Sequence, residues 1–111
     1  MQNQDFEVAR YAWCGDYNEA STYLDLFTSY SGHNNGKFFS EEYDKLMKDS
    51  KTAADPNPMY KAAEQILADQ MPFAPIYQYT KVEMIKPDMR GMGVTNLMQN
   101  WYLKDMYRVA N

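Results

Sequence analysis

The alternation of apolar and polar residues predicts that the chain opens with a strand. Residues 6–13 carry four large apolar side chains and no glycine or proline, a composition typical of β-structure. Ala9 and Ala12 add apolar groups on both faces, so we expect this strand to be covered on both sides. Gly15 and Asp16 then predict the turn that ends it.

Three helices are predicted next, over residues 19–30, 41–51 and 58–70. In each, apolar residues recur at helical spacing along one face. A side chain suited to N-capping precedes every one of them: Asn18, Ser40 and Asn57. Pro58 also fits the first position of the third helix.

The last third of the chain is predicted to be extended. One strand, bent between its halves 76–80 and 81–85, and a final strand over 101–109 are expected. Residues 89–100 between them are expected to be irregular, with glycine turns. The order of strand, three helices and then strands indicates an α+β fold, without the regular alternation of a doubly wound parallel sheet.

Composition narrows the possible partners. The 111 residues suffice for one domain, and the ten tyrosines and nine methionines favour a groove or a face that contacts other protein. The net charge of −4, without a basic cluster, argues against nucleic acid and against anionic membranes. Residues 1–5 do not resemble a signal peptide, which taken alone would predict a cytoplasmic protein.

The richest chemistry lies at Arg10, Trp13, Cys14 and Asp16. An aromatic wall between a positive and a negative charge could receive a small zwitterion. Equally, Arg10 could pair with a nearby carboxylate, Trp13 could belong to the core and Asp16 could cap a helix. In a strand Trp13 points away from the other three residues, so a bulge or a turn at Gly15 is needed to bring it to the same pocket.

Catalytic and metal sites are weaker hypotheses. Cys14 with His33 as its base would make a thiol hydrolase, but no residue is clearly placed to orient a histidine that is expected in a solvated loop. The acidic residues lack a third ligand nearby, so no metal and no cofactor is predicted.

Three segments resemble periplasmic oligopeptide-binding proteins, the solute-binding family 5 receptors of peptide ABC importers. They are residues 8–19 (VARYAWCGDYNE), 60–77 (YKAAEQILADQMPFAPIY) and 100–107 (NWYLKDMY). Murein-peptide-binding relatives share the first segment. Members of this family are much longer, so the resemblance identifies the chain as a C-terminal segment of a periplasmic binding protein and not an enzyme.

The resemblance also implies roles for the candidate residues. Asp16 would pair with the α-ammonium group of a peptide, Arg10 would reach a peptide carboxylate, and Trp13 would wall a side-chain pocket with Cys14 beside it. Cys14 is then either part of that lining or half of a disulfide with a cysteine elsewhere in the receptor.

The same resemblance predicts an arrangement and partners. Residues 1–80 would lie in the second, ligand-side lobe, and residues 81–111 would return towards the first lobe. The partners would be an oligopeptide and the membrane subunits of the importer, and exposed apolar faces would let the isolated segment self-associate. A free-standing α+β interaction domain with an aromatic-rich surface is the alternative.

Overall fold

A computed structural model describes residues 5–80, 82–93 and 101–110 of the chain. The chain divides into two compact units, Met1–Pro75 and Ile76–Asn111. We call them the helical unit and the sheet unit.

The helical unit contains the predicted helices in modified form. Helix α1 is Ser21–Leu24 and continues into a single 3-10 turn, Asp25–Phe27; α2 is Glu41–Ser50 and α3 is Asn57–Gln70. Helix α2 begins where predicted because the Ser40 hydroxyl accepts a hydrogen bond of 3.2 Å from the backbone N–H of Tyr43. In α3, Asn57 is the first helical residue and not the cap, which is Pro56.

The core of this unit lies where α2 and α3 pack on each other and on α1. Its buried residues are Leu24, Tyr43, Met47, Tyr60, Ala63 and Leu67. The Tyr43 hydroxyl donates to the carbonyl of Leu24 over 2.7 Å and so ties α1 to α2. Burial raises the pKa of Tyr43, which keeps this hydroxyl protonated and able to donate.

The sheet unit is built on two short antiparallel strands, β1 (Met89–Arg90) and β2 (Tyr107–Arg108). Gly91 follows β1 with a φ of 76°, and a Cβ there would lie 1.7 Å from the carbonyl oxygen of Asp105. Only glycine fits this position without strain. The turn predicted at Gly91 is not found there, since the turn of this segment lies at residues 87–88, before β1. None of the described residues of the sheet unit is buried.

The predicted first strand is wrong. Residues 6–13 have no regular secondary structure, and Val8 is 92% exposed instead of covered on both sides. A strand needs a neighbour for its backbone hydrogen bonds, and the sheet seen in the described part of the chain is the β1–β2 pair alone. Residues 6–13 therefore have the apolar pattern of a strand but no partner strand within the described part of the chain.

The predicted first helix is too long. Asn18 does not cap it, since α1 begins after Ala20 without a side-chain cap. Beyond the 3-10 turn, the N–H and hydroxyl of Ser29 donate to the carboxylate of Asp44 instead of continuing the helix. The chain leaves helical geometry at Thr28, whose ψ is 146°, so the predicted helix ends before residue 30.

The later strands are also largely wrong. Residues 76–80 and 82–85 are not strands, and Lys81 and residues 94–100 lie outside the described residues. The last strand is reduced to β2, because the preceding Leu103–Asp105 form a 3-10 turn. No helix in the described ranges is long and apolar enough to cross a membrane.

Candidate functional site

A pocket of about 150 Å³ lies beside α1 in the helical unit. Residues from the extended N-terminal segment, from α1 with its 3-10 turn, and from the following loop line it: Trp13, Asp16, Tyr17, Ser21, Thr22, Asp25, Leu26, Ser31 and His33. The pocket therefore combines one large aromatic wall with hydroxyl, imidazole and carboxylate groups.

The chain packs closely against α1 at Gly15, and this brings two of the candidate residues together. A Cβ at Gly15 would lie 2.9 Å from the hydroxyl oxygen of Tyr23 and 3.2 Å from Cγ2 of Thr22. Directly after it, the N–H of Asp16 donates to the Thr22 hydroxyl over 2.8 Å. Because the chain bends here, Trp13 and Asp16 line the same pocket, which a straight strand would not allow.

Trp13 forms the aromatic wall and is half-buried. Its ring centroid lies 4.6 Å from that of His33 and 6.3 Å from that of Tyr11, both tilted. Such tilted contacts between aromatic rings are favourable and restrain the plane of the indole. The contact with His33 was not predicted, since nothing in the spacing relates residues twenty positions apart.

A short loop holds His33 in place. The Asn34 amide donates to the carbonyls of Thr28 and Phe38 over 3.2 and 2.7 Å, and its oxygen accepts from the N–H of Phe38 over 3.0 Å. This side chain, together with backbone hydrogen bonds within the loop, gives residues 28–38 a defined shape. The expectation that His33 lies in an exposed loop is confirmed, and the loop presents it to Trp13.

The charged groups of the pocket are mainly acidic. Asp16 is exposed, and Asp25 places Oδ2 3.8 Å from the Lys51 ammonium nitrogen. Next to the pocket, a hydrogen bond from the Ser21 hydroxyl lowers the pKa of Glu19. A pocket with carboxylates and an aromatic wall suits a ligand that offers a positive group beside an apolar or planar one.

The other two candidates lie outside the pocket. Arg10 and Cys14 are both exposed and are not among its lining residues. Asp25 and His33 line the pocket but were not predicted as site residues. Within the described residues there is no group of three or more His, Cys, Asp or Glu side chains placed to hold a metal ion.

Comparison with known proteins relates the chain to peptide-binding proteins, although no family model matches it. It is 43% identical over 110 residues to the periplasmic murein peptide-binding protein MppA of Escherichia coli K12. The matched region covers 96% of this chain and 20% of MppA. It is 35% identical over 109 residues to the periplasmic oligopeptide-binding protein OppA of Haemophilus influenzae, with the same coverage of 96% and 20%.

A solved structure agrees. The Escherichia coli murein tripeptide binding protein MppA superposes with a TM-score of 0.92 at 41% identity, over 99% of this chain and 22% of that one. The homologues of this chain are therefore periplasmic oligopeptide- and murein-peptide-binding proteins, as the three sequence segments predicted. They are binding proteins by name and not enzymes. The chain spans about a fifth of the length of these curated relatives.

Proposed function

We propose that this chain is a C-terminal segment of a periplasmic receptor that binds oligopeptides for an ABC importer. One observation carries the proposal: Trp13 and Asp16 line one pocket in a chain that is 43% identical to a murein peptide-binding protein. The aromatic wall and the carboxylate are the two features that a peptide's side chain and its amino terminus require.

Each candidate residue has a separate role in this proposal. The exposed carboxylate of Asp16 pairs with the α-ammonium group of the peptide, and the exposed guanidinium of Arg10 reaches a peptide carboxylate. Trp13 forms the wall of a side-chain pocket, and Cys14, the next residue in the chain, is exposed outside the lining of that pocket. A charged contact at each end fixes the register of the peptide, while the wall tolerates varied side chains.

The exposed extended segments support a role within a larger receptor. Val8, Ile76 and Val82 are between 86% and 92% exposed, in segments with the apolar pattern of strands. In the receptor these segments pair with strands from the rest of the protein, which also accounts for the exposed aromatics that suggested a free-standing interaction domain.

The arrangement of lobes and the remaining partners belong to the same proposal. Residues 1–80 lie in the second lobe, on the ligand side, and residues 81–111 return towards the first lobe. The chain divides into its two compact units after Pro75, close to the point where it would pass from one lobe to the other. The receptor delivers its peptide to the membrane subunits of the importer. Without the rest of the receptor, the exposed apolar faces let the segment self-associate.

Removing the Asp16 charge in the full-length receptor tests the proposal. Isothermal titration calorimetry would compare a tripeptide with its N-acetylated form, which has no ammonium group. The wild type should bind the free tripeptide at least about tenfold more tightly, and Asp16→Asn should abolish that preference. Asp49→Asn is the matched control, because Asp49 is an exposed carboxylate on α2 that pairs with Lys45. A preference that survives in Asp16→Asn would contradict the assignment.

A further inference from the structure

Two buried polar atoms at the pocket have no hydrogen-bond partner. They are Nε1 of Trp13 and Oδ1 of Asp25, and they are the only buried side-chain nitrogen or oxygen atoms of this kind among the described residues. The indole N–H can only donate and an ionised carboxylate can only accept. Nearly all buried polar atoms in folded proteins are paired, and here one unpaired donor and one unpaired acceptor belong to residues that line the same pocket.

The surroundings of Asp25 direct this oxygen inward. Asp25 begins the 3-10 turn after α1, which fixes its backbone. Its other oxygen, Oδ2, lies 3.8 Å from the ammonium nitrogen of Lys51, whose side chain is 55% exposed. The carboxylate therefore presents one oxygen to a surface cation, and the buried oxygen is left for the interior.

The contacts of Trp13 do not fix the rotation of its indole ring within the plane of the ring. Contacts with His33 and Tyr11 restrain the plane of the indole ring. Such contacts only weakly restrain the rotation of the indole within its own plane. A hydrogen bond from the indole N–H would fix that rotation. The direction of the N–H decides which edge of the indole faces the pocket.

We propose that Asp25 is a positioning residue for Trp13. In the receptor the indole N–H donates to Oδ1 of Asp25, and this bond holds the wall of the pocket in one orientation. In the receptor this orientation determines which peptide side chains the pocket accepts. This effect on peptide selectivity rests on the proposed function.

Nuclear magnetic resonance of the indole N–H in the ¹⁵N-labelled full-length receptor tests the bond without any peptide. Trp13→Phe identifies the resonance. Asp25→Leu should shift it upfield and increase its exchange with solvent at least about tenfold, because the acceptor is lost. Asp25→Asn, which keeps an amide oxygen, should preserve most of the protection, and Lys51→Met, which removes only the outer partner, should leave it unchanged. An unaltered resonance in Asp25→Leu would overturn the proposal.

Peptide selectivity separates a positioning role from a merely structural one. Calorimetry would use tripeptides of alanine in which phenylalanine or glycine takes each position in turn. Asp25→Leu should reduce the wild-type discrimination between phenylalanine and glycine at one position by roughly tenfold, and Asp25→Asn should restore it. Unchanged discrimination despite a shifted resonance would overturn the positioning role. If the wild type bound none of these peptides, the proposed function would fail, while the indole resonance would still decide the bond.

Discussion

The helical unit and the sheet unit differ in how much of their structure is held by a buried core. The helical unit buries six apolar residues from three helices in one cluster. The sheet unit has two strands of two residues each, and no described residue in it is buried. Helices satisfy their own backbone and need only an apolar face, whereas strands need neighbours before they bury anything.

The difference teaches where stability resides in the chain. Burial in the helical unit supplies hydrophobic free energy locally. Exposed apolar residues of the sheet unit, such as Ile76 and Met84, contribute none until something covers them. The following substitutions compare the two units by urea unfolding of the chain, monitored by the circular dichroism of its helices.

Shortening a methionine should have its largest effect in the helical core. Met47 is 0% exposed, and Met47→Ala should lower the free energy of unfolding by about 3 kcal/mol because it leaves a cavity between α2 and α3. Met84→Ala is the matched change at a residue that is 98% exposed, and its effect should stay within about 0.5 kcal/mol. Equal losses in the two variants would remove the distinction between the units.

Removing the Tyr43 hydroxyl should have the next largest effect. Tyr43→Phe breaks the bond to the Leu24 carbonyl and leaves that acceptor without its partner, which should lower the free energy of unfolding by about 1.5 kcal/mol. Tyr107→Phe, at a residue 57% exposed in β2, serves as control and should change little. A loss no larger in Tyr43→Phe than in Tyr107→Phe would show that the bond contributes nothing.

Tyr43 should also make stability fall at high pH. Burial first, and the negative charges of Asp25 and Asp44 second, raise its pKa in the folded state above the ordinary value of tyrosine. Above about pH 10, unfolded Tyr43 releases its proton while folded Tyr43 keeps it, so stability should decline by up to about 1.4 kcal/mol per pH unit until the folded pKa is reached. Below that range the contribution is constant. The difference between the wild type and Tyr43→Phe should therefore shrink above pH 10; a constant difference would refute the raised pKa.

A smaller, stabilising change is expected at the end of α3. Met71 ends that helix in the left-handed region with a φ of 46°, a conformation that glycine adopts without strain. Because Met71 is also 58% exposed, Met71→Gly should raise the free energy of unfolding by about 0.7 kcal/mol. Met59→Gly, within the same helix, should instead be destabilising. A destabilised Met71→Gly variant would mean that its side chain packs usefully.

The smallest effect on unfolding is expected from a severe local change in the sheet unit. Gly91→Ala would drive a Cβ into the Asp105 carbonyl, so it should disrupt the backbone after β1 and the pairing of β1 with β2. It should also release the N–H of Val109, which donates to the Asp88 carbonyl, to faster hydrogen exchange. The helical transition should shift by less than about 0.5 kcal/mol, because no buried core is lost. A larger shift would show that the sheet unit does support the helical one.

The same contrast explains what could be predicted from the sequence. Helix α2 was predictable because its cap, Ser40, and its buried face at Tyr43 and Met47 are encoded within ten residues. Residues 6–13 carry an equally clear apolar pattern, but the strand they predict depends on a partner that the described chain does not supply. Local signals determined α2 and most of α3, whereas non-local contacts decided where α1 ends and whether the strands form.

The residues of the pocket also divide into those that the sequence predicts and those that only the fold brings there. The short segment around Gly15 suggested Trp13 and Asp16, because their chemistry is dense in sequence. Asp25 and His33 reach the pocket only through the 3-10 turn and the loop that Asn34 closes, so no spacing rule relates them to Trp13. Arg10 and Cys14 share the segment but lie outside the pocket.

The loop that carries His33 has a consequence for how the pocket can differ among related chains. Because the Asn34 amide and backbone hydrogen bonds set the course of residues 28–38, that course does not depend on which side chain stands at position 33. Mutation there can replace the surface opposite Trp13 while the helical core stays intact. The chemistry of the pocket can therefore change by the exchange of one side chain on an unchanged backbone, at little cost to folding.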